Sequence, residues 1–385
     1  MQRFDLSNPD FGDYDRGQRV SWSVKIKTIY ILCFLSLFFY ALVHITPLGQ
    51  SRGKHEMIQA SQIMSEAMTA LRKCQTGKNV RLNEKEDVNE TGLIGLEYSS
   101  ITTSLGNLEA KRTTTNPNFA SLLVFLLKEA GVQKGDTIAI GASSSFPALI
   151  VASLSAAKAI SLRPLLFCSL GASQWGANNP EFDWLDMQSC LRSAGMFDVK
   201  PIGLSLGGEE DVGKDMSEEG RSFLIQEAKE SQLFFLYEPD LKRNVETRIR
   251  LYEEMGGEAK IKAFINIGGS WANIGTNSGV LKLKPGLIRI KHHPVVEERG
   301  VLQEMAVRRI PVVHLLHIKG LCDRYGLPWD PMPLPKPGEG EFYRKAQIYD
   351  RSFILMAVIY FILVIFVLIF LRQSGGAIHR TKKVG

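Results

Sequence analysis

A short serine-rich segment carries the residues best suited to chemistry. Residues 141–145 read GASSS, after an apolar strand-like run and before a helix-like run. This is the context of the G-x-S-x-G turn, in which a tight strand-to-helix turn exposes a nucleophilic serine. Ser143 and Ser145 are therefore the candidate nucleophiles, although Ser145 stands where that pattern has its second glycine.

A nucleophilic serine needs a base, and an acid that orients the base. The chain order permits several partners, but no spacing selects one of them. We take His317, near the carboxyl end of a predicted strand, as the candidate base. The histidines and aspartates that follow the serines in the chain are His292, His293, His314, His317, Asp183, Asp186 and Asp240.

The step from glycine through a small residue to serine occurs at 141–143, 171–173 and 268–270. Each step follows a strand-like segment. Ligands of open α/β sheets bind at this edge, because its turns expose backbone N–H groups. The steps are either purely structural turns or parts of one pocket for a carboxylate or phosphate. Such a pocket would be lined by Gly141, Ala142, Gly171, Ser173, Trp175, Asn178, Gly268, Gly269, Ser270 and Asn273.

A second candidate for anion binding is the basic segment 281–291. Its apolar and cationic side chains alternate around a Pro-Gly turn, which predicts a hairpin. The hairpin would place Lys282 and Lys284 on one face with Arg289 and Lys291. This face is either a solvated sheet edge or an anion-binding surface.

The stretch 97–115 is rich in hydroxyl side chains and contains Lys111 and Arg112. It is either a solvated loop or a segment that faces a ligand. In the second case, Lys111 and Arg112 are available to an anion.

The elements that must position these residues alternate along the chain from residue 116. Strand-like and helix-like segments follow one another at a spacing typical of a mostly parallel, doubly wound α/β sheet with right-handed crossovers. The predicted strands are 137–140, 165–169, 199–206, 232–237, 261–267 and 311–317, and the predicted helices include 183–194, 217–230 and 239–255.

Two apolar segments flank this domain, and each is about 20 residues long, enough to cross a bilayer as a helix. A cleaved signal peptide is the alternative for the first segment, and a buried core helix is the alternative for the second. The predicted organisation is an N-terminal tail (1–25), a span (26–46), a juxtamembrane helix and linker (47–90), the α/β domain (91–327), a Pro-rich spacer (328–350), a second span (351–371) and a basic tail (372–385).

The net charge of +6 lies in the tails, with +1 in residues 1–46 and +5 in 351–385. Residues 47–350 are therefore neutral overall, so basicity gives no reason to expect a nucleic-acid partner. The positive-inside rule favours cytoplasmic tails and an outward-facing domain.

The five cysteines show no CxxC spacing, which argues against a metal cluster, and we predict no metal. The sequence permits one disulfide among Cys74, Cys168, Cys190 and Cys322 but does not assign it. Walker A, HExxH and GxGxxG patterns are missing from the sequence, so we predict no cofactor.

Several short motifs together resemble one family. They are TGLIG (91–95), TTNPNFA (114–120), GASSSFPA (141–148), GASQWGA (171–177), NIGGS (266–270) and YGLPWDP (325–331). With these motifs, which lie across residues 90–340, the chain resembles the bacterial poly-gamma-glutamate system proteins, membrane proteins found alongside the synthase of that polymer. The resemblance implies a bacterial cytoplasmic membrane location. It also implies as partners the γ-linked glutamate chain, or the membrane components that make and export it.

Two functions follow from these observations. The protein is an accessory component that binds the glutamyl carboxylates of the polymer, or it is a serine-dependent hydrolase or transferase of γ-glutamyl amide bonds with Ser143 as nucleophile. A scaffold without ligand contact is a third possibility. The sequence favours the binding function, because the serine turn lacks its second glycine and no triad is evident.

Overall fold

The computed structural model of the chain describes residues 14–45, 53–80, 83–257, 260–288, 294–346 and 351–380. Within these residues the strands are β1 (Thr137–Ser143), β2 (Arg163–Ser169), β3 (Asn178–Asn179), β4 (Phe182–Asp183), β5 (Gly203–Ser205), β6 (Ile261–Ile267), β7 (Gly286–Ile288) and β8 (Val312–Leu315). The main sheet has the order β5-β2-β1-β6-β8-β7. Its strands pair in parallel except for β7, which runs antiparallel to β8. A separate two-stranded ladder joins β3 to β4.

The helices of the described residues lie between the strands and at both ends of the chain. They are α1 (Tyr14–Ile45), α2 (Lys54–Gly77), α3 (Leu108–Thr114), α4 (Asn118–Glu129), α5 (Pro147–Ala159), α6 (Trp184–Ser193), α7 (Glu218–Glu230), α8 (Leu241–Gly256), α9 (Trp271–Ile274), α10 (Val301–Val307), α11 (Ile318–Tyr325), α12 (Phe342–Lys345) and α13 (Arg351–Arg380).

Helices cover both faces of the main sheet. In β1, Ile138 and Ile140 pack into an apolar core with residues of α2, α4 and α5. Ala139 faces the opposite core, which contains residues of α8 and α10. β1 is buried at every position, as expected for a parallel strand covered on both sides. The predicted mostly parallel α/β sheet is confirmed.

Short polar side chains begin several helices. Asn116 Oδ1 accepts a hydrogen bond from the N–H of Asn118 at the start of α4. Asp183 and Asp240 accept backbone N–H groups in the same way at the starts of α6 and α8, where such caps stabilise a helix by about 1 kcal/mol. Two of the aspartates considered as catalytic acids are therefore helix caps.

The compact unit that contains the sheet runs from Gly53 to Ile348. It includes α2, whose Met57, Met64 and Leu71 are buried against the domain. It also includes residues 328–346 of the Pro-rich segment that the sequence analysis placed outside the α/β domain. A disulfide between Cys74 and Cys190 joins α2 to α6.

The predicted strand at 232–237 does not form, because this segment meets β5 only through a bridge between Phe235 and Leu204. The predicted hairpin at 281–291 is also wrong. Ser278–Lys282 is a 3₁₀ helix begun by the Asn277 side chain.

The strand at Gly286 begins just after Pro285, which has no N–H to donate, and pairs with β8 instead of with residues 281–284. Arg289, Lys291, His292 and His293 lie outside the described residues.

The second unit contains the terminal helices α1 and α13. Ser36 Oγ lies 2.9 Å from the hydroxyl of Tyr360, and the rings of Phe39 and Tyr360 are 5.1 Å apart. Within the described residues, no helix was found to combine the length and apolar character required of a membrane span.

Candidate functional site

The candidate site lies at the carboxyl edge of the sheet, where the strand order changes direction. β2 and β5 lie on one side of β1, whereas β6 and β8 lie on the other. The connections that follow β1 and β6 therefore diverge, which opens the edge between them. Ser143 ends β1, and Gly268 follows β6 directly.

The first two Gly-small-Ser steps meet at this edge through their serines. Ser143 Oγ donates a hydrogen bond to Ser145 Oγ over 2.9 Å. Ser145 Oγ also accepts the backbone N–H of Ser173, again over 2.9 Å. The close approach depends on Gly176, since a Cβ there would lie 2.8 Å from the Cα of Ser145.

Lys111 reaches the same serines from α3. Its ammonium donates to the carbonyl oxygen of Ser145 and, over 2.7 Å, to Ser173 Oγ. The Nζ atom also lies 3.9 Å from the centre of the Phe146 ring, a favourable position for a cation. Lys111 is only 3% exposed. The site therefore contains a buried amine in direct contact with a serine hydroxyl.

Burial lowers the pKa of Lys111 from its usual value to about 7. The cause is the loss of water around the charged form, and no carboxylate of the described residues counteracts it. Near neutral pH a large fraction of Lys111 is therefore a neutral amine, which can accept a proton from Ser173. A serine beside a neutral lysine is a known arrangement for nucleophilic catalysis.

The third step joins the site next to Ser143. A Cβ on Gly268 would lie 3.3 Å from the Cβ of Ser143, and Gly268 has a φ of 76°, a conformation that glycine adopts without strain. Behind it, the Oγ of Ser270 and the Nδ2 of Asn273 are buried without a hydrogen-bond partner among the described residues.

A buried ion pair supports Asn273 from below the edge. Arg248 and Asp211 are both fully buried and form a salt bridge. The guanidinium of Arg248 also donates to Asn273 Oδ1 over 3.4 Å. Because arginine can only donate, this contact turns the amide so that Nδ2 faces away from Arg248.

A segment that we call the strap, residues 95–106, lies along the second step. Thr103 N–H donates to the carbonyl of Ala172, and Gln174 N–H donates to the carbonyl of Ser104, over 2.9 and 3.0 Å. These bonds flank Ser173 on both sides. The strap therefore holds the backbone that positions Ser173.

Asn178 and Trp175, both predicted pocket residues, contact the strap at Leu96. The side chain of Asn178 bonds both backbone groups of Leu96, each over 2.9 Å, so it holds the strap. Trp175 adopts a φ of 57°, which is strained for a non-glycine residue. Its indole N–H is buried without a partner in the described part of the chain.

Several predicted site residues lie elsewhere. His317 is exposed at the start of α11, and no hydrogen bond among the described residues joins it to Ser143 or Ser145. Lys282 and Lys284 are exposed side chains outside any hairpin. Arg112 pairs with Asp330 through its Nε over 2.8 Å.

Two other titratable candidates, His314 and Asp186, contact side chains outside the candidate site. His314 is buried beside Asn266, with 3.0 Å between Nδ1 and Nδ2, and burial lowers its pKa to about 4. Asp186 pairs with Lys78. No group of metal-ligating side chains is found among the described residues.

Sequence reasoning noted Lys111 as an anion ligand and Ser173 as a pocket residue, but it missed their pairing. The signal available was the position of Lys111 within a hydroxyl-rich stretch rather than on a charged surface helix. Comparison of the chain with family models, with curated proteins and with solved structures gives no match.

Proposed function

We propose that this protein is a membrane-anchored serine hydrolase or transferase of glutamyl amide bonds, with Ser173 as nucleophile and Lys111 as its base. The observation that carries the proposal is the 2.7 Å contact between Lys111 Nζ and Ser173 Oγ within a buried site. Ser143, the nucleophile expected from the sequence, donates to Ser145 instead and has no base within reach among the described residues.

The reaction divides into two acyl-transfer steps. Neutral Lys111 takes the proton of Ser173 as Oγ attacks the amide carbonyl carbon. The C–N bond then breaks, and the leaving amine receives the proton from Lys111, which leaves an acyl ester on Ser173. Water in hydrolysis, or the amine of a second chain in transfer, then attacks the ester carbonyl carbon and gives its proton to Lys111. The ester C–O bond breaks, and Ser173 Oγ takes the proton back from Lys111.

The substrate class follows from the resemblance to poly-gamma-glutamate system proteins. Its polymer offers repeated γ-glutamyl amide bonds, and its synthase or export components are the partners. Two hydrogen-bond donors at the site, Ser270 Oγ and Asn273 Nδ2, lack partners within the described chain. Such groups fit a carboxylate on the glutamyl chain.

Membrane anchoring is part of the proposal. Residues 352–371 contain no charged side chain, and α13 exposes large apolar side chains such as Phe361 and Phe366. We place the tails in the cytoplasm and the domain outside the cytoplasmic membrane of a bacterium. The disulfide between Cys74 and Cys190 supports this orientation, because disulfides persist in oxidising compartments.

A second candidate function is binding of the polymer without cleavage. The unpartnered donors at Ser270 and Asn273 favour it, since a bound carboxylate would satisfy them without any catalytic base. In this case the protein is an accessory component that holds the chain for the synthase or exporter.

The test uses the purified full chain in detergent with poly-gamma-glutamate and hydroxylamine. We expect the polymer to shorten and hydroxamate to form, because hydroxylamine traps an acyl ester. Both signals should vanish in Ser173→Ala and persist in Ser189→Ala, a control at an exposed serine. Unchanged shortening in Ser173→Ala would contradict the proposal, and binding without any shortening by the wild type would support the second candidate.

A further inference from the structure

A row of cationic side chains lies at the amino edge of the sheet, opposite the candidate site. Arg163 begins β2, and Lys260 and Lys262 lie at the start of β6. Thr137 of β1 pairs with both Arg163 and Ile261, so these cations flank the same strand end. Arg309 lies in the turn just before β8, the next strand across.

Three of these cations, Lys260, Lys262 and Arg309, border a groove in the surface of the domain, whereas Arg163 donates to the carbonyl oxygen of Met255. A cavity of about 580 Å³ is lined by Lys260, Lys262, Arg309, Ile310 and Pro311, among others. A second cavity of about 310 Å³ shares Arg309, Ile310 and Pro311 with the first. The two cavities therefore adjoin at these residues, with cations lining the first and mainly apolar side chains lining the second, and we call the two together the groove.

Most cations of this groove have no ion pair within the described chain, although Glu253 also lies in its lining. Among the described residues, no carboxylate forms an ion pair with Arg163, Lys260, Lys262 or Arg309. Arg308, also in the lining, is paired with Glu253 over 3.3 Å and with Glu304 over 2.5 Å.

The concentration of unpaired positive charge does not reflect the composition of the domain, because residues 47–350 have no net charge. Arg309 also adopts a left-handed backbone conformation, with a φ of 61°. A non-glycine residue in this region is strained, and such strain concentrates at functional positions. The conformation sets the direction in which the Arg309 side chain leaves the backbone.

We propose that this groove binds an extended polyanion that carries repeated carboxylates, and that it holds the distal part of the polymer whose amide bonds reach Ser173. The identity of the polymer rests on the proposed function. The lining cations lie at β6 and just before the neighbouring β8. With Arg163 of β2, the cations of this edge span three strand spacings, about 14 Å, which suits an extended acidic chain rather than a single carboxylate.

The groove and the candidate site are at opposite ends of the strands. β6 has seven residues, so the two regions are about 20 Å apart along the strand direction. One glutamyl unit cannot contact both, but a long chain can. The groove should therefore raise affinity for long polymers and leave reaction with short substrates unchanged.

The experiment compares Lys260→Glu/Lys262→Glu/Arg309→Glu with Lys229→Glu/Lys242→Glu in the full chain in detergent. The control reverses two exposed lysines outside the groove. Binding of fluorescent poly-gamma-glutamate, binding of the γ-glutamyl trimer and cleavage of a short γ-glutamyl anilide are measured at low and physiological salt. We expect the groove variant to lose at least about tenfold in affinity for the polymer, with the loss shrinking at high salt.

Trimer binding and anilide cleavage should stay at the wild-type level in both variants. Equal polymer affinity in the groove variant and the control would overturn the proposal. So would a groove variant that loses binding to anionic lipid vesicles but retains binding to polymer, because the groove would then be a membrane contact. Absence of anilide cleavage in the wild type would refute the proposed enzymatic function and leave the binding result to be judged separately.

Discussion

The guanidinium of Arg248 and the carboxylate of Asp211 form an ion pair with no solvent exposure on either side chain. The same guanidinium stacks 3.9 Å from the centre of the Phe167 ring and donates to Ser205 Oγ over 2.8 Å. Asp211 in turn accepts from Asn244 over 3.0 Å. Both charges are therefore held by several hydrogen bonds beneath the carboxyl edge of the sheet.

Replacing only one residue of this ion pair should strongly destabilise the domain. Arg248→Met leaves the Asp211 carboxylate buried without its cation, which costs about 3–5 kcal/mol. Thermal unfolding of the full chain, followed by near-UV circular dichroism, measures the change. In Arg248→Met/Asp211→Asn the loss should be smaller than in Arg248→Met alone, and a larger loss in the double variant would contradict the pairing.

Catalysis should depend on the protonation of Lys111. Because burial lowers its pKa to about 7, the neutral base accumulates as the pH rises through that value, and turnover should rise with it. Lys111→Arg should abolish turnover at every pH, since the guanidinium does not lose its proton. A pH profile of hydroxamate formation tests this, and a profile that is flat between pH 6 and about 8 excludes Lys111 as the base.

The same lysine should lower the stability of the domain. Its pKa is lower in the folded chain than in the unfolded chain, where the pKa is close to the usual 10.5 of a lysine. The unfolded state therefore binds more protons between these two values, and stability rises with pH across this window.

Lys111→Met removes the buried charge, so it should raise the melting temperature, and by more at pH 6 than at pH 9. Thermal scans at pH 6 and at pH 9 measure this change in melting temperature. A lower melting temperature at both would indicate that the lysine is a structural support rather than a catalytic group.

The disulfide between Cys74 and Cys190 should stabilise the domain. Its loss in Cys74→Ser/Cys190→Ser removes a constraint across 116 residues of chain, with an expected cost of about 2–4 kcal/mol. Denaturation midpoints in the absence of reductant measure the difference. The midpoint of this variant should not change when reductant is added. Free Cys168 and Cys322, both buried, provide control substitutions to Ser, and these controls keep the disulfide, so reductant should lower their midpoints.

The strap should be sensitive to a single methyl group. A Cβ on Gly95 would lie 1.9 Å from the carbonyl oxygen of Gly176, whereas a Cβ on Gly77 has no atom within 4 Å. Gly95→Ala should therefore displace the strap, increase amide exchange over residues 95–106 and lower turnover. Gly77→Ala serves as the control, and matching exchange rates in the two variants would contradict the packing described for Gly95.

The parallel sheet was predictable because its strands are largely apolar runs and several of its helices start at Asn, Ser or Asp caps. The predicted strand 261–267 matches β6. The prediction of a hairpin at Lys282 was wrong, because the alternation of apolar and cationic residues does not reveal that Asn277 begins a helical turn.

The pairing of Lys111 with Ser173 was not predictable either, since it joins residues 62 positions apart. A lysine on the short helix α3 carries no local sign that it will be buried. The convergence of the Gly-small-Ser steps, by contrast, follows from parallel strands alone, because their carboxyl ends share one edge of the sheet.

The disulfide has a consequence for the integrity of the site. Lys111, Ser145 and Ser173 all lie between Cys74 and Cys190, inside a covalently closed ring of chain. A protease cut at Lys134, in the exposed turn between α4 and β1, would place the amine and the hydroxyl on different fragments. Those fragments would still be one molecule, so the dyad can outlast a backbone break that would separate it in a reduced chain.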